Sequence, residues 1–376
     1  MINLLKKQAG TLNERRKQLN FIALIKFIAM IKIIKWHIIK WPTKPIDYGA
    51  RMCEILFISS GFLVGYNHYQ IPMPDTYEYS FKYSYKHIRN FYPLELINTL
   101  YGFFLYKGKP LKSSEIEILI SNLLLIKSWS RYSQLASCFN GISWFLSALI
   151  FCYFLTPLLL KFIKNMKTSL ILFFIVSLVR ISLEEFIKKG SLNMFDIHFH
   201  RGPIIRLLEF FLGMLMNPTF FTLKMKINRF ENKYWFKIIF TFIQFLLPIC
   251  IYYIMLKYNS ILYRCYFILI FCIFIFIIGY DYGFFSDLVD NKICKSIMSC
   301  QMEMYLFQNT INNIICSISK TINYKLVLNQ EIEFIWKLVI IFIIGYFYKK
   351  ILKEKFAKLL DLIVNCFSLF ILLLYL

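Results

Sequence analysis

Long apolar runs alternate with short polar stretches along almost the whole chain. A helix needs about 20 apolar residues to cross roughly 30 Å of hydrocarbon. The runs that reach or approach this length predict an all-α, polytopic transmembrane bundle of about ten spans. These predicted spans lie near residues 20–40, 50–66, 92–106, 143–163, 168–186, 203–217, 236–256, 264–282, 298–318 and 333–348.

Two regions depart from this pattern. Segment 107–141 is too polar to span but carries the apolar patch 118–126, so it is either an external cap or a re-entrant piece. Residues 359–376 are apolar enough for an eleventh span or for a helix along the membrane interface. The sequence thus predicts one integral-membrane domain over 1–376, with a basic tail at 1–19, a transmembrane core at 20–349 and a basic, then apolar, segment at 350–376.

Composition and charge agree with a lipid environment. The chain is 58% hydrophobic and 19% aromatic, which is more apolar than the core of a soluble domain requires. Its 44 Lys and Arg against 21 Asp and Glu give a net charge of +23. Such an excess collects in cytoplasmic loops, and a cytoplasmic N-terminus would put every even-numbered loop, with its basic cluster, on that side. The sequence has no reader motif for nucleic acid, so no nucleic-acid partner is predicted.

Lys26 and His37 are two of the ionisable residues in the first predicted span. Ionisable groups are costly inside a bilayer and usually serve a function there. Their spacing of eleven residues is close to three helical turns, so both lie on one helix face, about 16 Å apart. His37 is therefore a candidate general base. The alternative is that Lys26 snorkels to the interface and that His37 is an interfacial or hydrogen-bonded core residue.

The second predicted span contains Glu54, followed by Ser60 and Gly61, which suit close helix packing or supply a hydroxyl. A carboxylate can fix the tautomer of a general-base imidazole, so Glu54 is predicted to orient and charge-stabilise His37. The alternative reading makes Glu54 a structural partner of Lys32, Lys35 or Arg51.

Further polar residues lie near the ends of later spans. Lys86 and Arg89 are three residues apart, side by side on a helix, where they could grip phosphate groups or act as an ordinary cytoplasmic anchor. Arg206 and Glu209 predict a buried ion pair.

Candidate metal ligands are weak. His198 and His200 form an H-x-H pair without a convincing third ligand, so no metal is predicted. The ten cysteines include no C-x-x-C pair, and those in apolar runs, such as Cys152, Cys250 and Cys272, are expected to be small core residues.

Taken in order, these elements resemble the bacterial membrane acyltransferase family three, which includes O-acetyltransferases of surface polysaccharides. Lys26 and His37 occupy the places of a family arginine and a histidine eleven residues later. Glu54 and the sequence LFISSGF correspond to an acidic residue and an F-F-x-x-S-G-F element. A basic R-x-x-R element before an aromatic-Pro pair appears as 86–89 and 92–93, and further family-like elements lie at 123–129, 140–147, 203–213 and 303–306.

The chain also departs from the family pattern. Lysine replaces arginine at 26 and 86, which keeps the charge but loses the bidentate fork. Leu149 and Gln308 stand where many members carry Glu and His.

The resemblance implies an enzyme of the bacterial cytoplasmic membrane that moves an acyl group from cytoplasmic acetyl-CoA to a sugar hydroxyl. The acceptor would be a surface polysaccharide or its lipid-linked precursor. His37 would act as general base with Glu54 in support, and CoA would be held by Lys26, Lys86 and Arg89. An acyl-histidine, or an acyl-serine at Ser60, is a chemical variant. The rival prediction is a transporter, flippase or polymerase of lipid-linked glycans, and the sequence makes no prediction of oligomeric state.

Overall fold

A computed structural model of the protein describes residues 19–39, 48–69, 71, 73–74, 76–106, 115–130, 138–189, 201–231, 233–257, 266–321 and 330–362. Within these ranges the secondary structure is helical and contains no strand. The all-α prediction is confirmed.

The described helices are numbered in chain order. They are α1 (Asn20–Ile38), α2 (Tyr48–His68), α3 (Tyr77–Ile88), α4 (Tyr92–Tyr106), α5 (Glu115–Leu123), α6 (Trp144–Leu160), α7 (Met166–Lys189), α8 (Pro203–Leu215), α9 (Asn217–Ile227), α10 (Tyr234–Lys257), α11 (Phe267–Ile278), α12 (Phe284–Val289), α13 (Lys292–Met298), α14 (Gln301–Thr321) and α15 (Gln330–Phe347). Short 3-10 helices occur at Lys127–Trp129 and Asn228–Phe230. A π-helical turn, Tyr348–Leu352, leads into a last helical stretch that is described to residue 362.

Three helical stretches in the described part of the chain are long and apolar enough to cross a membrane, namely Met166–Phe186, Pro203–Phe230 and Tyr234–Met255. Two shorter apolar helices are Trp144–Leu160 and Phe267–Ile278. The ten-span count and the cytoplasmic N-terminus stay predictions.

Helices α2 and α8 are in direct backbone contact. A Cβ added to Gly61 would lie 1.8 Å from the carbonyl oxygen of Phe210, and one added to Gly213 would lie 2.0 Å from that of Ile58. The two backbones therefore touch, as small residues allow in membrane helix pairs. The packing role predicted for Gly61 is confirmed.

The first turn of α1 is fixed by a carboxylate. The backbone N–H groups of Asn20 and Phe21 donate to Asp281 at 3.2 and 3.0 Å, and Asp281 is buried. The first N–H groups of a helix lack partners within the helix and favour a negative charge. Asp281 therefore anchors α1 to the turn after α11.

Residues 115–130 and 138–143 contribute to the interior of the bundle. Lys127 is fully buried and donates to the side-chain oxygen of Asn122 at 2.8 Å and to the carbonyl oxygen of Asn140. Ser128 and Ser147 share a 2.6 Å hydrogen bond that joins the segment to α6. The described residues around Lys127 and Ser128 therefore pack into the bundle.

The cysteines in apolar runs differ in burial from one helix to another. Cys152 and Cys272 are buried, as expected for small core residues. Cys250 is exposed, so the expectation was wrong there. It lies on α10, most of whose apolar surface faces outward.

Candidate active site

Lys26 and His37 lie on one face of the unbroken helix α1, as their spacing predicts. Met30 and Ile33 occupy the same face between them and are 2% and 1% exposed. His37 is exposed in the last turn. The face is therefore packed in its middle and open at the histidine end.

The ammonium group of Lys26 points into the bundle. It donates a 3.1 Å hydrogen bond to the hydroxyl of Ser60 on α2, which is itself buried. The alternative in which Lys26 snorkels outward is not what the structure shows. A cation is instead held between α1 and α2.

Glu54 belongs to a network of buried ion pairs that joins α2, α7 and α8. Arg51 Nη1 lies 2.6 Å from Glu54 Oε1, and Arg180 lies 2.9 Å from both Glu184 and Glu209. The predicted pair of Arg206 and Glu209 is present and fully buried. Three arginines and three glutamates balance in charge, which buried ions require. The members are Arg51, Glu54, Arg180, Glu184, Arg206 and Glu209.

The network gives Glu54 the partner Arg51, one of those named in the alternative reading. Its second oxygen, Oε2, is buried without a hydrogen-bond partner in the described part of the chain. Its predicted role in catalysis stays a prediction. Sequence reasoning missed Arg180 and Glu184, although an arginine inside the apolar stretch 168–186 was a usable signal.

Arg89 is held by the C-terminal helical stretch. Its Nη1 lies 2.7 Å from Asp361 Oδ2, and the Tyr85 hydroxyl donates to the same carboxylate at 2.8 Å. Burial and this hydrogen bond raise the pKa of Tyr85 to about 12. Lys86 is exposed one turn away. Lys26 and Arg89 thus have separate partners, Ser60 and Asp361.

Gln308 and Leu149, the two departures from the family pattern, are both buried. Neither amide atom of Gln308 has a hydrogen-bond partner among the described residues. The hydroxyl of Tyr305, one turn earlier, donates to the carbonyl oxygen of Ile142 at 2.9 Å. Leu149 packs in the main hydrophobic core.

In the described ranges no group of three or more His, Cys, Asp or Glu side chains could hold a metal ion. His198 and His200 lie outside those ranges.

A family model for an acyltransferase domain, that of acyltransferase family three, matches residues 19–346. The chain belongs to this family. The match contains all five residues predicted to act in catalysis or CoA binding, whereas Asp361 lies beyond it. No curated protein and no solved structure matches the chain. The family and the apolar helices together indicate a membrane-bound acyltransferase.

Proposed function

We propose that this acyltransferase moves an acetyl group from cytoplasmic acetyl-CoA to a sugar hydroxyl of a surface polysaccharide or its lipid-linked precursor. The bacterial cytoplasmic membrane would be its location. The observation that carries the proposal is the common face of Lys26 and His37 on α1, within a family match that covers most of the chain.

His37 would be the general base. Its imidazole takes the proton of the acceptor hydroxyl while the hydroxyl oxygen attacks the thioester carbonyl carbon. A C–O bond forms, the C–S bond breaks, and the imidazolium returns the proton to the leaving CoA sulfur. General-base catalysis of this kind contributes roughly 10²- to 10⁴-fold. The exposure of His37 at the end of α1 suits a large acceptor.

Lys26 would serve the acyl donor from the interior of the bundle, where its charge is held by Ser60. A cation in a site shielded from water attracts the negative groups of CoA more strongly than it would in solvent. The buried side chains of Met30 and Ile33 separate it from His37. Donor access along this face therefore requires these two side chains to move, which the flexible thioether of Met30 favours.

Lys86 and Arg89 would bind the phosphates of CoA. A guanidinium binds phosphate in bidentate fashion, whereas an ammonium acts as a point charge. In the structure the carboxylate of Asp361 forms an ion pair with Arg89. The phosphates of CoA would have to displace this carboxylate. Glu54 enters the proposal as a positioning residue, since its ion pair with Arg180 of α7, at 3.6 Å, helps to fix α2, which packs along α1.

The experiment is a transfer assay on the purified full-length chain in lipid nanodiscs, with labelled acetyl-CoA and the extracted cell-surface glycan. We expect the wild type to acetylate the glycan and His37→Ala to lose transfer while keeping its thermal stability. His68→Ala, on α2, is the matched control and should retain activity. Normal acetylation by His37→Ala would remove this residue from catalysis.

The rival function is transport or polymerisation of lipid-linked glycans. Mass analysis of the surface glycan from cells with and without the protein distinguishes an acyltransferase, a transporter and a polymerase. Loss of an acetyl mark at constant chain length supports the acyltransferase, a change in chain length supports the polymerase, and loss of the whole glycan supports the transporter.

A further inference from the structure

A groove of about 460 Å³ opens between α1, α2, α10 and α11. One stripe of α1 lines it, including Ile25, Ile28, Lys32 and Trp36, whose spacing of three or four residues puts them on one helix face. The volume lies in the range of small-molecule and cofactor sites. This stripe is not the face that carries Lys26 and His37.

The groove is polar at one end only. Ile25 and Ile28 line its apolar end, and Lys32, Lys35 and Trp36 lie one to three turns further along α1. From α10, Tyr252 joins the polar end, where its ring centroid lies 5.6 Å from Lys32 Nζ. The shape and polarity suit an amphiphile with an apolar chain and a polar head.

The two lysines at the polar end differ in their ion pairs. Lys35 lies 2.7 Å from Glu331, so its charge is balanced. Lys32 is exposed, and in the part of the chain that the structure describes no carboxylate pairs with it. One positive charge thus remains available at this end, which favours an anionic head group.

We propose that the groove binds the lipid-linked form of the acceptor, a sugar joined by phosphate to a polyprenyl chain. The chain would lie along Ile25 and Ile28, with the phosphate at Lys32. The sugar would project beyond Trp36 toward His37, the next residue of α1. The apolar wall of the groove would accept any lipid tail. The charge of Lys32 selects a lipid with an anionic head group. The proximity of His37 favours a head group that carries a sugar hydroxyl. Binding of the polyprenyl phosphate in the groove does not depend on the proposed function. Only the presentation of the sugar hydroxyl to His37 rests on it.

Binding is tested without chemistry by native mass spectrometry of the full-length chain in phosphatidylcholine nanodiscs. The probes are a polyprenyl phosphate, the uncharged polyprenol and phosphatidylglycerol. We expect the polyprenyl phosphate to be retained best. Lys32→Gln should weaken its retention about fivefold, the effect of one basic residue near an anionic lipid. Ile28→Trp, which places a larger side chain in the groove at a residue that is 42% exposed, should weaken all polyprenyl probes.

Lys350→Gln is the matched control. Lys350 is also exposed and lies 5.8 Å from the ring centroid of Tyr346, but it is on the C-terminal π-helical turn, away from the groove. The Lys350→Gln variant should bind all three probes as the wild type does. Equal retention of polyprenol and polyprenyl phosphate, equal retention of phosphatidylglycerol, or an equal loss in Lys350→Gln would each overturn the proposal.

A second measurement separates this proposal from the proposed function. Acetyl transfer is compared between a lipid-linked acceptor and a water-soluble fragment of the same glycan. Lys32→Gln should raise KM for the lipid-linked acceptor alone, and an equal rise for both would contradict the groove site. A wild type that binds the polyprenyl phosphate but acetylates neither acceptor refutes the proposed function and leaves the groove site standing.

Discussion

Arg89 and Asp361 form an ion pair, with 2.7 Å between Nη1 and Oδ2, that joins the end of α3 to the C-terminal helical stretch. Asp361 lies outside the region matched by the acyltransferase family, which ends at residue 346. Arg89, inside the matched region, is thus paired with a carboxylate from outside that region. Any anion that uses Arg89 must compete with Asp361.

Removing this competitor should favour the acyl donor. Asp361→Asn is expected to lower KM for acetyl-CoA by up to about fivefold, since a partly exposed ion pair is worth roughly 1 kcal/mol or less. Arg89→Ala should raise KM for acetyl-CoA more than KM for the acceptor. Initial rates with each substrate varied in turn measure both effects.

The control for this pair is Lys82→Gln, also on α3. Lys82 is exposed and its ion pair is with Glu78, not with the C-terminal stretch. It should leave KM for acetyl-CoA unchanged. An unchanged KM in Asp361→Asn, or an equal loss for both substrates in Arg89→Ala, would show that Arg89 has a structural role only.

Ser60→Ala distinguishes two roles of the hydroxyl that contacts Lys26. If Ser60 only holds the ammonium, its removal leaves a donor without its partner and destabilises the protein by about 1–3 kcal/mol, with activity lowered but present. If Ser60 carries the acyl group, transfer stops. We expect the first result, measured as thermal stability and transfer rate in nanodiscs. Complete loss of transfer in a stable variant, together with an acylated Ser60 in the wild type, would establish the covalent route.

The network around Arg180 should be sensitive to the loss of one charge. Arg180→Met leaves Glu184 and Glu209 buried without their shared cation, a change that typically costs about 3–5 kcal/mol. Thermal unfolding in detergent should show a large loss of stability. Lys82→Met is the control, because Lys82 and Glu78 are also spaced i,i+4 but both are exposed. A similar melting temperature for both variants would show that the buried network adds no stability.

The helical class and the common face of Lys26 and His37 could be predicted from the sequence, because both follow from local periodicity. The pair Arg206 and Glu209 could also be predicted, since i,i+3 contacts are local. The partners of Glu54 could not be chosen from the alternatives, because the network depends on how α7 and α8 pack on α2. Gly61 and Gly213 set that packing through contacts between segments distant in sequence.

Other features were hidden for the same reason. The contact of Arg89 with Asp361 spans most of the chain, and the groove requires residues from four helices. Segment 107–141 was ambiguous because a buried lysine such as Lys127 gives no apolar signal in the sequence. Its ammonium is satisfied by backbone carbonyl oxygens that become neighbours only in the fold.

A last prediction concerns His87 on α3, whose ring packs against those of Tyr83 and Tyr153 at centroid distances of 4.4 and 4.5 Å. Burial lowers the pKa of His87 below its ordinary value of 6.5, and the nearby charge of Lys86 lowers it further. The hydrogen bond from its Nδ1 to the Tyr83 carbonyl oxygen only partly opposes this.

Below pH 6.5 the unfolded chain therefore takes up a proton that folded His87 does not, so this residue makes stability fall as the pH falls through that value. His87→Phe keeps an aromatic ring packed against the two tyrosines but cannot titrate. Its melting temperature should fall less than that of the wild type between about pH 7.5 and 5.5. The other histidines contribute equally to both chains, so the difference reports on His87 alone. Parallel pH profiles would mean that His87 is protonated as readily in the folded protein as in the unfolded chain.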